Sequence, residues 1–236
     1  MSFRGFHILA LALPACSGAA LAAQTTVEQR DYRVGSFDKV AAAGANLVIV
    51  HQGGALSVTG QGPAETLDRM EVVVERGGLQ IRPRREYDRN WHNLKPATYT
   101  VTLPRLTDAS LAGSGEMRID RAEGDNFAAS VAGSGSLDIA ALRVGHANLS
   151  MAGSGKLSAR GSATRADLSI AGSGDISARG VSSRNAAVSI AGSGDVELTA
   201  RDSVNVSIVG SGNAEISGGA HCEVTRMGSG QAHCGA

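Results

Sequence analysis

The sequence repeats Gly-Ser-Gly at a nearly constant interval over its second half. The motif begins at residues 113, 133, 153, 172, 192, 210 and 228, so the intervals are 20, 20, 19, 20, 18 and 18 residues. A period of this length predicts stacked structural units, because separate functional sites would not keep one spacing. The repeat therefore constrains the fold more than any other feature of the chain.

Apolar and polar residues alternate on both sides of each motif. In the copy at residue 172, Leu168 and Ile170 precede the motif with a serine between them. Ile176 and Ala178 follow it with the same alternation. A period of two is typical of a β-strand with one buried face. Each repeat is therefore predicted to consist of a strand, a corner, a second strand and a polar return such as residues 160–165.

Units of about 20 residues can bury their apolar faces only against one another, with equivalent strands about 4.8 Å apart. The predicted fold class is therefore all-β: a single-stranded parallel β-helix with Gly-Ser-Gly corners, expected to be right-handed because parallel crossovers generally are. A β-sandwich is the alternative, but it would vary its turns and loop lengths.

The glycines of the motif are predicted to form structural corners. A sharp bend through positive φ favours glycine, and a Cβ would collide with the neighbouring coil. The predicted corner residues are Gly113, Gly115, Gly133, Gly135, Gly153, Gly155, Gly172, Gly174, Gly192, Gly194, Gly210, Gly212, Gly228 and Gly230.

Four regions are predicted along the chain. Residues 1–22 are expected to be a signal peptide and 23–34 an N-terminal lead-in. Residues 35–110 carry strand patterns without the motif, so we expect irregular opening coils that continue into the β-helix. Residues 111–236 are expected to form the regular coils with a C-terminal cap.

The first residues have the pattern of a secretory signal peptide. Arg4 precedes an apolar run over residues 6–15, and Ala20-Leu21-Ala22 fits a cleavage site. Cys16 leaves open a lipoprotein signal with an acylated cysteine. No later run reaches the roughly 20 apolar residues needed to span a bilayer. We therefore expect an exported protein, periplasmic or at the cell surface.

Two cysteines, Cys222 and Cys234, follow this segment near the end of the chain. A pair of cysteines in an exported protein predicts a disulfide, here one that would cap the last coil. Two free thiols, or a zinc site with the adjacent histidines, are the alternatives.

The charge balance argues against nucleic acid as a partner, since 22 basic residues face 22 acidic ones. No pattern of a cofactor or metal site is found, so none is expected. An enzyme alternative remains: Asp175 and Asp195 follow equivalent corners, and paired carboxylates serve in glycoside lyases and hydrolases.

One insertion, residues 85–96, interrupts the strand patterns with charged and aromatic residues. Exposed loops of this composition suit contacts with sugars or protein surfaces. The candidate binding residues are Arg85, Tyr87, Arg89, Trp91 and His92. Alternatively, Trp91 folds back to cover the first coils.

The sequence resembles the auto-transporter adhesin head (GIN) domain family. The resemblance rests on "FDKVAAAGANLVIVHQGG" at 37–54, on "YTVTLPRLTDASLAGSGEMRI" at 99–119 and on the recurring "SIAGSGDI" units. It implies an exported, β-helical, non-catalytic protein, adhesin-like, whose partner is a glycan, an envelope component or another protein. It provides no catalytic motif, and it leaves the oligomeric state open.

Overall fold

The protein is a nearly all-β, mostly parallel β-solenoid with coils of about 20 residues, as the repeat predicted. The structure is a computed structural model that describes residues 27–87 and 94–235. The predicted signal peptide, Cys16, and the loop residues Arg89, Trp91 and His92 lie outside the described residues.

Seventeen strands, one α-helix and one 3₁₀ helix make up the described chain. The strands are β1 (Val27–Asp31), β2 (Lys39–Gly44), β3 (Leu47–Gln52), β4 (Ser57–Pro63), β5 (Met70–Glu75), β6 (Gly78–Pro83), β7 (Thr98–Leu103), β8 (Asp108–Gly113), β9 (Glu116–Ile119), β10 (Ala122–Gly133), β11 (Ser136–Gly153), β12 (Lys156–Gly172), β13 (Asp175–Gly192), β14 (Val196–Gly210), β15 (Asn213–Ser217), β16 (His221–Gly228) and β17 (Gln231–Cys234). The helices are α1 (Ala64–Arg69) and the 3₁₀ helix Arg85–Tyr87.

Each regular coil presents three faces. In β11 the post-corner face is residues 136–139, the return face is 142–147 and the pre-corner face is 148–153. All three pair in parallel register with β12, with one register shift after Ile139. The return was expected as a polar connection, yet it is hydrogen-bonded strand. Its inward residues, such as Val181, are buried, so the return closes the third side of the core.

The core consists of small aliphatic side chains in stacked columns. Leu149, Leu168, Val188 and Val206 stand in one such column, and each is at most 3% exposed. Successive residues of a strand point to opposite faces, so alternation in the sequence becomes an inward and an outward column. A thin interior of this kind needs few aromatic residues, which agrees with the 3% aromatic content of the chain.

Backbone hydrogen bonds between successive glycine corners connect the coils. The amides of Ser134 and Gly135 both donate to the carbonyl oxygen of Gly113, at 2.9 Å each. Gly133 has φ +119°, and a Cβ built on it would lie 2.6 Å from the same oxygen. A Cβ on Gly135 would lie 2.7 Å from Gly115 O. The corner therefore needs glycine for both its conformation and its close approach to the coil below.

The N-terminal end of the solenoid is closed by antiparallel strands. β5 pairs antiparallel with β6, β4 with β7, and β1 with β4. In the same region β2 pairs in parallel with β8, and β3 with β9, so parallel and antiparallel pairs occur side by side. The antiparallel strands cover an end that would otherwise expose unpaired backbone groups.

The last coil, β16 and β17, has one neighbouring coil within the described residues. Cys222 Sγ and Cys234 Sγ lie within disulfide-bonding distance, which supports the predicted disulfide. The bridge joins the return side of this coil to its post-corner side. Arg226 stands in register with Ile208 and is exposed, so a charged residue replaces an aliphatic one at this end.

Substitution of a corner glycine tests the close approach of the coils. Gly133→Ala should lower the free energy of unfolding by about 3 kcal/mol, since strain at positive φ adds to the overlap with Gly113 O. Gly53 is the matched control, because it has φ +106° but a Cβ added there would meet no atom within 4 Å. Gly53→Ala should lower it by only about 1–2 kcal/mol. Urea denaturation followed by circular dichroism measures both, and equal losses would refute the stacking argument.

Candidate functional site

An eighth corner without the Gly-Ser-Gly motif lies beneath the first regular one. Its residues are Gly44, Ala45 and Asn46, between β2 and β3. The amide of Ser114 donates to Gly44 O at 3.2 Å, and that of Glu116 donates to Asn46 O at 3.0 Å. Ala-Asn replaces Ser-Gly here, so a search for the motif misses this corner.

A signal in the sequence could have found this corner. Val40 and Ala42 precede Gly44 at the same spacing as the apolar columns of the repeats, and Val48 and Val50 follow in the same way. All four are buried in the structure. Alignment on the alternation, rather than on the glycines, would have extended the repeat to this coil.

Asn46 makes hydrogen bonds at the position where the other corners have their second glycine. Its Oδ1 accepts from the amide of Ala97 at 2.9 Å, and its Nδ2 donates to Met70 Sδ at 3.4 Å. The amide of Leu47 donates in turn to Ala97 O at 3.0 Å. Asn46 is only 8% exposed. It therefore fixes the chain where the 85–96 insertion returns to the solenoid.

The insertion replaces a corner in the outermost coil. β6 ends at Pro83 and β7 begins at Thr98, and these strands pair with β2 and β3 on the side away from the regular coils. Strand β6 ends, and strand β7 begins, at the level where the other coils turn through glycines. The insertion that interrupts the strand patterns in the sequence therefore lies at a corner position of the stack.

A pocket of about 290 Å³ lies between this insertion and the eighth corner. Pro83, Leu94 and Pro96 contribute apolar surface to its lining, and Asn46 and Thr66 contribute polar groups. Thr66 Oγ1 donates to Lys95 O at 2.9 Å, which attaches the insertion to α1. A concave, mainly apolar pocket with few polar groups is a typical place for a small ligand.

The predicted loop residues are only partly described. Arg85 begins the 3₁₀ helix and is exposed, and Tyr87 ends that helix. The other three predicted residues lie outside the described chain. A role of this loop in binding a partner stays a prediction.

Two outward columns of the pre-corner face carry small, uncharged side chains. One outward column carries hydroxyls and the next carries methyl groups over most coils. The hydroxyl column is Ser110, Ser130, Ser150, Ser169, Ser189, Ser207 and Thr225. No long side chain rises from these two columns before Met227.

The carboxylates considered for catalysis bond to neighbouring coils. Asp175 Oδ1 accepts from the amide of Asp195 at 3.3 Å. Asp195 Oδ1 accepts from both the amide and Nδ2 of Asn213, each at 3.0 Å. Each carboxylate oxygen accepts a hydrogen bond from a backbone amide of the next coil, in place of a backbone carbonyl oxygen. Their contacts are those of a structural ladder rather than of an acid and base facing a substrate.

Other titratable groups offer no further catalytic arrangement within the described chain. Nδ1 of His51 lies 3.1 Å from Asp120 Oδ2, and Nε2 of His146 lies 2.8 Å from Asp167 Oδ2. Arg165 Nε also donates to Asp167 at 3.0 Å, so this pair belongs to a surface ion cluster. Within residues 27–87 and 94–235, no group of three or more histidine, cysteine or acidic residues could hold a metal ion.

Two tyrosines pack inside the N-terminal end. The ring centroids of Tyr32 and Tyr99 lie 6.3 Å apart. Burial raises the pKa of both phenols above the ordinary value, so both remain protonated at neutral pH. Gly60 lies beneath them, where a Cβ would be 2.9 Å from Tyr99 Cε1. This cluster therefore contributes packing and no base.

Among the described residues, no helix has both the length and the apolar character to cross a membrane.

The chain was compared with known protein families and with curated proteins. A sequence model of the family described as "Putative auto-transporter adhesin, head GIN domain" matches residues 36–220. No curated protein matches the chain.

Solved structures of three bacterial proteins have the same fold. A protein described as a "putative adhesin" from Bacteroides fragilis is 25% identical with a TM-score of 0.84, and the match covers 89% of this chain and 97% of that one. A "putative lipid binding protein" from Parabacteroides distasonis is 22% identical with a TM-score of 0.73, covering 90% and 98%. A "putative adhesin" from Parabacteroides merdae is 16% identical with a TM-score of 0.68, covering 90% and 97%. The last two likenesses show the fold alone.

Removal of the Asn46 side chain tests its part in holding the insertion. Asn46→Ala should lower the free energy of unfolding by about 1–3 kcal/mol, because the buried amide of Ala97 loses its acceptor. The control is Ser134→Ala, at a regular corner, which should change it by less than about 0.5 kcal/mol. Thermal and urea denaturation of the three proteins measure the difference. No loss with Asn46→Ala would mean that the insertion is held by other contacts.

Proposed function

The chain belongs to the auto-transporter adhesin head GIN domain family, and from this membership we propose that it is an exported, non-catalytic binding protein. Its partner is a glycan, an envelope component or another protein. Binding takes place on the outward faces of the stacked coils or at the pocket beside the 85–96 insertion.

One observation carries this proposal: the repeated glycines are required for the packing of one coil against the next. The first glycine of each corner adopts positive φ, and a Cβ on either glycine would meet the backbone of the preceding corner. Asp175 and Asp195 bond to the next coil in the same way. What remains for a partner is the rigid, polar outer surface that the motif builds.

Export is supported by two features that agree with the family. Residues 1–22 have the composition of a signal peptide. Cys222 and Cys234 form a disulfide pair, which persists in oxidising compartments. The proposed location is the periplasm or the cell surface, with lipid attachment at Cys16 as the alternative to simple cleavage.

Retention from an envelope extract tests binding. The immobilised full-length chain is expected to retain a component of the source cells' envelope in a saturable way, whereas urea-unfolded chain on the same support retains none. Protease and periodate treatment of the extract separates a protein partner from a glycan. Equal retention by folded and unfolded chain would contradict binding by the folded surface.

The same material tests the absence of catalysis. We expect no new reducing ends or unsaturated products when the chain is incubated with envelope polysaccharide. Products formed by the natural chain but not by the variant with Asp175→Asn and Asp195→Asn would favour the carbohydrate-active enzyme instead.

A further inference from the structure

Two neighbouring grooves lie on either side of the edge between the post-corner and return faces. The first, about 530 Å³, includes Lys156, Arg160 and Arg179 in its lining. The second, about 480 Å³, includes Arg184 and Arg201. The two linings together hold these five cations against two carboxylates, Glu197 and Asp202. The whole chain has equal numbers of basic and acidic residues, whereas basic residues outnumber acidic ones in the linings of these two grooves.

Four of these cations have no carboxylate partner within the described residues. Arg179 is the exception, because its Nη2 lies 3.3 Å from Glu197 and 2.8 Å from Glu215. The four are named the basic edge: Lys156, Arg160, Arg184 and Arg201. Their charges are available to a ligand, whereas the ion pairs of the nearby Arg179 already neutralise it.

The solenoid positions the basic edge on three successive coils. Lys156 and Arg160 belong to β12, Arg184 to β13 and Arg201 to β14. Arg184 and Arg201 stand between the register pairs Ser183 with Ala200 and Asn185 with Ser203. Arg160 follows Lys156 by four residues, and Arg184 follows Gly180, the register partner of Arg160, by four residues. Since residues rise about 3.3 Å along a strand and strands lie about 4.8 Å apart, the charges run mainly around the coils, from the post-corner face across the edge to the return face.

Gly180 makes room for Arg160 in the first groove. A Cβ built on Gly180 would lie 2.9 Å from Arg160 Cγ and 3.3 Å from its Cβ. The aliphatic part of Arg160 therefore lies over the backbone of the next coil. A packed stem reduces the conformational freedom that a long cation loses when it binds an anion.

The remaining lining indicates the class of ligand. Hydroxyl groups accompany the cations, from Ser158 and Ser177 in the first groove and from Ser162, Thr164 and Ser182 in the second. Neither lining includes an aromatic residue, so a neutral sugar ring or a nucleobase finds no stacking surface there. Recognition has to come from charge and from hydrogen bonds to hydroxyl groups.

We propose that the basic edge binds an acidic polysaccharide that runs across this edge, from the post-corner face to the return face. The polymer's carboxylate groups contact Lys156, Arg160, Arg184 and Arg201, and its hydroxyl groups bond to the serine and threonine side chains of the grooves. This inference rests on the proposed function as a binding protein and names the chemical class of one partner.

Binding to polygalacturonate, a polymer of uronic acids, tests the proposal. The full-length chain should bind immobilised polygalacturonate, release it as sodium chloride rises from about 0.05 to about 0.5 M, and bind dextran, a neutral glucan, at least about tenfold more weakly. Salt weakens such binding because it screens exposed charges. Single-stranded DNA of equal charge should also bind more weakly, since the grooves hold no stacking surface.

Charge-matched double variants locate the site. Arg160→Gln with Arg184→Gln should weaken polygalacturonate binding about tenfold, as expected from the loss of two charge-assisted contacts. Arg105→Gln with Arg226→Gln removes the same net charge from exposed arginines elsewhere and should weaken it less than about twofold. Equal midpoints of urea denaturation for both variants and the natural chain exclude a loss of fold.

Several results would overturn the proposal: equal loss in the two double variants, equal binding of dextran, or tighter binding of DNA. Absence of polygalacturonate binding together with saturable retention of an envelope component would also overturn it, while the proposed function would stand.

Discussion

The structure depends on one hydrogen bond repeated from corner to corner, from the amide of the motif serine to the first glycine carbonyl of the preceding coil. Ser134 to Gly113 and Ser193 to Gly172, each at 2.9 Å, are two examples. The bond requires two backbones to approach without a Cβ between them. The corner therefore fixes the register of the strands on both sides, and that register aligns the inward aliphatic columns.

The same constraint limits where function can lie. The motif glycines approach the backbone of the neighbouring coil, so their identity is explained by stacking and not by a partner. Surface chemistry varies where the repeat is interrupted, as at Asn46 and the insertion beside it, or where outward positions differ between coils, as along the basic edge. The proposed binding sites accordingly lie where the sequence departs from the repeat. The repeat itself provides the scaffold that holds them.

The alternation around the glycines was enough to predict the coil length, the parallel stacking and the inward columns. The search for Gly-Ser-Gly missed the corner at Gly44, because Asn46 stands where the other corners have their second glycine, although the alternation continues there. The hydrogen bond from the Ala97 amide to Asn46 is seen only in the folded chain. The antiparallel pairing of β5 with β6 was missed because alternation is the same for both strand directions. The basic edge was also missed, since Arg184 and Arg201 meet through a register shift between coils of different length.

Deletion of one complete coil tests the account most directly. Removal of residues 154–172 joins Gly153 to Ser173 and leaves an uninterrupted corner, strand and return. Because each coil contacts only its neighbours, this chain should still unfold cooperatively in urea and keep its β-sheet circular dichroism. Removal of residues 154–163 deletes a corner and its post-corner strand but keeps the rest of the return, so it should abolish cooperative folding. If the complete-coil deletion unfolds as fully as the partial one, corner stacking is not what holds the molecule together.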